Sequence, residues 1–234
     1  VAARIAPVEG AGTQGNAAQG NAAGAEANNL SGPGPATGLV EEFRNRPLGD
    51  LIGLASSPDR FKASLGVAAL NAALSAGRRT ARPRSSAIPR AGGKTVAVIG
   101  DFTFIEDLRR IADRVIMIPP DPDAPAGLDA VPRRDGPVQA PDEALAGADI
   151  AIVRGSTLMA GTLESWLDRA AHCYTVVYGP STPLSPVLFD YGADQLVGIT
   201  VGIDDVAAGW IKEGRDNLLA CPGIKSVVIG RDQR

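Results

Sequence analysis

Glycine followed by short hydroxyl or carboxylate side chains recurs where runs of branched apolar residues stop. Val98-Ile99 runs into Gly100 and Asp101, and Val153-Arg154 into Gly155, Ser156 and Thr157. Tyr178 leads into Gly179, Pro180, Ser181 and Thr182, and Val201 into Gly202. Each stop lies just ahead of a stretch with helical spacing. Helix starts present unpaired N–H groups and the positive end of a dipole. Several of them gathered on one rim would cradle a phosphate, a carboxylate or another anion. Prolines fix the geometry of the loop from Tyr178 to Pro186, where Ser181 and Thr182 offer hydroxyls. The competing use of such groups is local capping, which is expected for Thr103 (with Glu106 completing a capping box), Thr162 and Ser185. Ser156, Thr157, Ser181 and Thr182 precede those caps and are open to either use. Asp101 is the candidate acid, base or hydroxyl binder, its alternative being a turn-forming side chain.

Other chemistries lack their residues. No G-x-x-x-x-G-K-[ST] occurs, and Gly100-Asp101-Phe102-Thr103-Phe104 stands where a dinucleotide site would carry G-x-G-x-x-G. The single histidine, His172, is expected at the amino end of a strand, away from the rim, which argues against a Ser-His-Asp triad. His172 and Cys173 would point apart in extended chain, and Cys221 stands alone beside Pro222. The cysteines make neither a zinc spacing nor a disulfide framework, so no metal ligand is assigned. Asp121 and Asp123 could share a hard cation, but a solvated acidic loop is the simpler reading. The net charge of −3 supplies no basic field for nucleic acid. No apolar run approaches the roughly 20 residues of a membrane span, and no stretch reads as a signal peptide. A reduced, cytoplasmic setting is expected.

The elements that must hold these loops are legible from composition and period. Apolar residues make up 44% and aromatics 4% of 234 residues, so the core must be Val, Ile, Leu and Ala. Strands are expected at Thr95–Ile99, Arg114–Ile118, Asp149–Val153, Thr175–Tyr178, Leu196–Val201 and Ser226–Ile229. Helices are expected between them at Phe104–Ala112, Pro141–Ala146, Leu163–Ala171, Pro186–Tyr191 and Asp205–Glu213. Short strands apolar on both faces, joined by five crossovers, predict an α/β fold: a Rossmann-like, doubly wound, mostly parallel sheet. Ligands would then sit outside the carboxyl ends of the strands.

Ahead of this domain, 94–234, three segments are distinguished. Residues 1–37 are Gly, Ala and Asn with almost no large apolar side chain and read as weakly ordered. Residues 38–77 read as helical, with one helix from about Leu39 to Leu54 interrupted near Pro47 and a second opened by Pro58 and Asp59. Phe61, Leu65, Ala68 and Ala72 mark one apolar face of the second, with Val67, Leu70 and Leu74 widening the arc. Asn71 sits inside that arc, where its amide serves either a helix-to-helix hydrogen bond or a ligand. Residues 78–93, rich in Arg, Pro and Ser, read as a basic linker.

"GADIAIVRGSTLMAGTLESWL" and "VVYGPSTPLSPVLFDYGADQLVGITV" resemble the signature stretches of the "putative heavy-metal chelation" family, a domain of unknown function. "VAVIGDF" and "SLGVAALNAAL" are similar to its first strand and a preceding helix. The resemblance implies a small enolase-N-terminal-like α+β region, reduced in this chain, before the Rossmann-like domain, with a cleft between the two. It also implies bacterial or archaeal origin and a link to metal homeostasis, but no established reaction. Carried onto this chain, it adds weight to Asn71, Gly100, Gly155, Thr157, Gly179, Ser181 and Thr182. Together with Ser156 these are the expected ligand-binding residues, and Asp101 is the expected catalytic one. Ala160 stands where the family usually carries Asn. The expected ligand is a small molecule: anionic, nucleotide-like or a metal–chelator complex. The cofactor, if any, is undetermined between a metal ion and a nucleotide-like group, and homo-oligomerisation is left open. An enzyme of chelator or pterin-like synthesis and a scaffold that has lost its site are the alternatives.

Overall fold

A computed structural model describes residues 42–43, 45–75, 91–120, 140–202, 205–213 and 221–233. Segment 1–37, nearly all of the linker 78–93, and Asp121, Asp123 and Asp204 lie outside the described residues. Six strands form one sheet: β1 Thr95–Ile99, β2 Arg114–Ile118, β3 Ile150–Arg154, β4 Tyr174–Tyr178, β5 Gln195–Val201 and β6 Ile224–Gly230. Their order is β2-β1-β3-β4-β5-β6. The first five run parallel, and the order reverses between β1 and β3, which makes that gap the switch point of the sheet. The five expected crossovers are four. β6 lies antiparallel to β5, in register from Gln195↔Gly230 to Val201↔Ile224. The N–H of Gly202 donates to the carbonyl of Gly223 at 2.7 Å, so the chain re-enters the sheet at the end it left.

Alternation along each strand feeds two cores. Val96, Val98, Ile150 and Ile152 join Ile105 and Leu108 of helix α3 (Ile105–Ile111) on one face. Ala97, Ile99, Ala151, Val153 and Val177 face the other side. That side is covered by α4 (Pro141–Ala146), α5 (Leu163–Arg169) and α6 (Val187–Asp190) through Leu145, Trp166, Leu167 and Phe189. Helix α7 (Asp205–Lys212) packs Ala207 and Trp210 with Ile199, Cys221 and Ile224. Each fully buried Leu or Ile contributes about 1.5–3 kcal/mol, so the central strands, closed on both faces, are the most strongly held part. No helix among the described residues is long and apolar enough to cross a membrane.

A repeated tripeptide locks the amino-terminal end of this sheet. Gly147-Ala148-Asp149 precedes β3, and Gly192-Ala193-Asp194 precedes β5. In each, the alanine is buried and the aspartate side chain accepts an amide at the start of the neighbouring strand. Asp149 Oδ2 takes the Thr95 N–H at 2.9 Å, and Asp194 Oδ2 takes that of Thr175 at 2.8 Å. The Thr95 bond, then the Lys94 ammonium, hold the Asp149 carboxyl below its ordinary value. A carboxylate shifted down on folding stabilises above its unfolded pKa, and that contribution is lost as pH falls through the folded value. The urea midpoint is therefore expected to decline below about pH 4. Asp149→Asn, which keeps an acceptor but no charge, flattens that decline. An unchanged acid limb in the variant would show that the carboxylate clamp does not form.

Before β1 lie α1 (Leu48–Ile52), a 3-10 turn (Gly53–Ser56) and α2 (Arg60–Ser75). Pro47 is the N-cap of α1, where a break was expected. Asp59 opens α2 as expected, its Oδ1 accepting the N–H groups of Phe61 at 2.8 Å and Lys62 at 3.1 Å. The buried face of α2 differs from the expected one. Phe61, Ala68 and Ala72 are exposed, while Ala63, Gly66, Val67 and Ala69 are buried. Size at Gly66 decides this: a Cβ there would overlap the backbone of Leu54 and Ala55, so this bare strip is what lies against the 3-10 turn. The large side chains flank it, with Leu65 packing beside Leu51 and Ala69.

Candidate functional site

Two strand ends meet in space through a missing side chain. β3 passes at Gly155 into a 3-10 turn, Gly155–Leu158. A Cβ on Gly155 would meet Oγ1, N and Cα of Thr182 at 2.5, 2.7 and 2.9 Å. Only glycine lets the loop after β3 lie on the loop after β4. The loop after β1 joins them: Gly100, at φ +111°, has the Arg154 side chain against it, with Cβ 2.9 Å from where its own Cβ would be. The three loops therefore form one layer, and glycines serve in it as contact surfaces.

That use corrects the expected cradle of amides. The Gly100 N–H donates to Ile118 O at 3.0 Å, and the Gly179 N–H to Val197 O at 2.9 Å. Both continue the sheet ladder and are not offered to a ligand. The Thr182 N–H goes to Gly179 O at 3.0 Å, closing the turn of the proline-rich loop. The Thr157 hydroxyl, buried, donates to Arg154 O at 2.7 Å.

The expected caps also act differently. Thr103 is exposed, and Phe104 takes the N-cap position of α3 without a side-chain bond. Phe104 is placed there by its ring, 5.0 Å from Phe102 and 4.8 Å from Tyr178. Burial in this cluster pushes the Tyr178 phenol up. Glu106, the expected capping-box partner, instead pairs with Arg109 at 2.8 Å. Thr162 is the N-cap of α5, but its hydroxyl turns back to Thr157 O at 3.4 Å. Ser185 contributes its carbonyl, which accepts the Leu188 N–H at 3.2 Å, while Pro186 takes the N-cap position of α6. Gly192 follows the end of α6 at φ +101°.

A cleft of about 240 Å³ opens beside this layer, between α2 and the ends of β2 and β3. Arg60 and Ser64 line it from α2, Pro120 from the end of β2, and Arg154, Ser156 and Thr157 from β3 and its turn. Met159 and Ala160 complete the wall. Pro120 is fixed by its carbonyl, which accepts the Nε1–H of buried Trp166 at 3.0 Å. Among the described residues no carboxylate lines the cleft, and two guanidinium groups do. Arg154 is exposed, and no hydrogen bond or ion pair with the described residues engages it. Sequence reasoning missed both arginines. The visible signal was Arg154 itself, a charge closing an otherwise apolar strand. For Arg60 there was none, because nothing local says which face of α2 meets the sheet.

Of the expected site residues, Ser156 and Thr157 line the cleft, and Gly155 supports them. Asp101 is exposed at the end of β1 and is not part of the lining. Asn71 lies farther along α2, where its Nδ2 donates to Ser181 O at 3.2 Å. This is a bond from helix to loop, where a helix-to-helix bond was one of the two uses weighed from sequence. Thr182 is buried beneath it.

The residues do not make a direct metal centre. Among the described residues no group of three or more His, Cys, Asp or Glu could hold an ion. The described residues of the cleft offer hydroxyls, one thioether and two cations, a set that repels a bare metal ion. His172 Nε2 sits 2.9 Å from Leu145 O, and Cys173 is buried with its Sγ 3.3 Å from Ala148 O, both at the amino-terminal end of β4. Burial, reinforced by the Asp149 charge, pushes the Cys173 thiol up to about 11. A thiol so raised is a poor source of the thiolate that metals need.

A family model described as "Putative heavy-metal chelation" (DUF364) matches residues 85–226. No curated protein matches the chain. Two solved structures of that family, both of proteins with unknown function, share the fold. The one from Desulfitobacterium hafniense DCB-2 is 24% identical, with a TM-score of 0.64 over 83% of this chain and 78% of the other. The one from Pyrococcus horikoshii is 23% identical, with a TM-score of 0.63 over 79% of this chain and 75% of the other.

Proposed function

The chain belongs to the family described as "Putative heavy-metal chelation", and from that premise we propose that it binds an anionic small molecule in the cleft between α2 and the strand ends. The observation that carries this reading is Arg154. Its guanidinium stands at the carboxyl end of β3, unengaged by the described residues, in a cleft that a second arginine lines and no carboxylate among the described residues does. Guanidinium matches phosphate or carboxylate with two parallel bonds. Ser156 adds a hydroxyl that donates or accepts, while the Ser64 hydroxyl donates to Phe61 O at 2.7 Å and is left as an acceptor. A metal would arrive here as cargo, within a complex whose chelator presents carboxylates or phosphates, because the described lining has no donor set for the bare ion. Turnover requires a proton-transfer group within reach of the ligand, and the described lining residues supply none, so binding is the reading favoured over catalysis.

A ligand held only by the folded state raises the melting temperature. Citrate, inorganic phosphate and nucleoside phosphates are expected to raise it in a dose-dependent way, and zinc, nickel or cadmium chloride alone are not. A shift with the metal salts and none with any anion would overturn the proposal.

A further inference from the structure

Resting on the anion-binding reading above, we propose that Asn71 Oδ1 and Thr182 Oγ1 form the far end of the same ligand site and accept an N–H or O–H of the bound molecule. Both atoms are buried and have no hydrogen-bond partner. Thr182 is only 2% exposed. A buried polar atom left unsatisfied is costly and rare, so two on contacting elements require an explanation. The orientation of the Asn71 amide is fixed by its bond to the Ser181 carbonyl. Turning it over would set oxygen against oxygen, so Oδ1 is the atom left over. Thr182 Oγ1 lies against Gly155, the neighbour of Ser156 in the cleft. Both ends also lie along one helix, α2. Arg60, Ser64, Val67 and Asn71 follow at helical spacing on one stripe, and Ser64 and Asn71 are about 10 Å apart along the axis. Two neutral oxygens offer no charge to replace the hydration of a divalent cation, but they suit an ammonium, an amide N–H or a hydroxyl. The ligand class that follows is an organic phosphate or carboxylate with a hydrogen-bond donor within about 10 Å of its charge.

Titration calorimetry with paired probes tests this. Alkyl phosphates of two to six carbons are compared with aminoalkyl and hydroxyalkyl phosphates of the same lengths. At one chain length the donor-bearing probe is expected to bind about tenfold more tightly. Thr182→Val, which keeps the shape and removes the hydroxyl, reduces that advantage severalfold. In the ligand-free protein the same variant raises the melting temperature by about 2–4 °C, because an orphaned hydroxyl is removed. No donor advantage at any length, or one that survives Thr182→Val, overturns the proposal and leaves anion binding standing. A fall in the ligand-free melting temperature also overturns it, since the hydroxyl would then be satisfied by an internal water. Failure of the plain alkyl phosphates to bind removes the anion-binding reading and this inference with it.

Discussion

Arg154→Gln weakens the binding of organic phosphates about 30-fold, the loss of roughly 2 kcal/mol from charge-assisted hydrogen bonds. The effect is large because the guanidinium is committed to no partner among the described residues. Binding free energy is therefore not diverted into breaking an existing ion pair. For the same reason the fold is barely touched, and the melting temperature stays within about 2 °C of the parent. Arg154→Lys restores part of the loss, since an ammonium keeps the charge but not the two-pronged geometry. The salt dependence of binding falls in the Gln variant, because one of the cations facing the ligand is gone. Equal affinity in Arg154→Gln and the parent would place the anion site elsewhere.

Gly66→Ala is expected to cost about 3 kcal/mol, read as a fall of about 6–10 °C in melting temperature. Elsewhere in an α-helix this change is stabilising, by up to about 1 kcal/mol, so the sign of the effect is the test. The added methyl has nowhere to go. It meets backbone atoms of Leu54 and Ala55, which cannot swing aside as a side chain can. Relief requires α2 to shift away from the 3-10 turn, which opens the cluster around Phe43, Leu51 and Ala69. Since α2 carries Arg60 and Ser64 into the cleft, the variant also binds phosphates more weakly than its residual folded fraction explains. A neutral or stabilising result would show that α2 does not approach the turn closely.

The sheet was written locally, and its site was not. The bounds expected for β1, β2 and α4 coincide with those observed, because branched apolar runs between glycine, proline and charge have few other ways to fold. Phe104, Thr162 and Ser185 show where local reasoning stopped. Capping rules describe an isolated helix start, but here an aromatic cluster and a tightly packed loop chose the first residue and the bonding atom. The reversed direction of β6 was hidden for a related reason, since a short apolar run carries no sign of its orientation. Arg60, Asn71 and the bare strip at Gly66 depend on how α2 lies against distant loops, which no spacing within α2 encodes.

The paired Gly-Ala-Asp latches have a consequence for how such a protein can change. They fasten four strands at the edge of the molecule remote from Arg154, through main-chain partners. Persistence of the scaffold and choice of guest are thereby assigned to opposite poles. Residues around Ser156 and Ser181 can be exchanged without loosening the latches, so lineages with one common frame are free to diverge in what they carry.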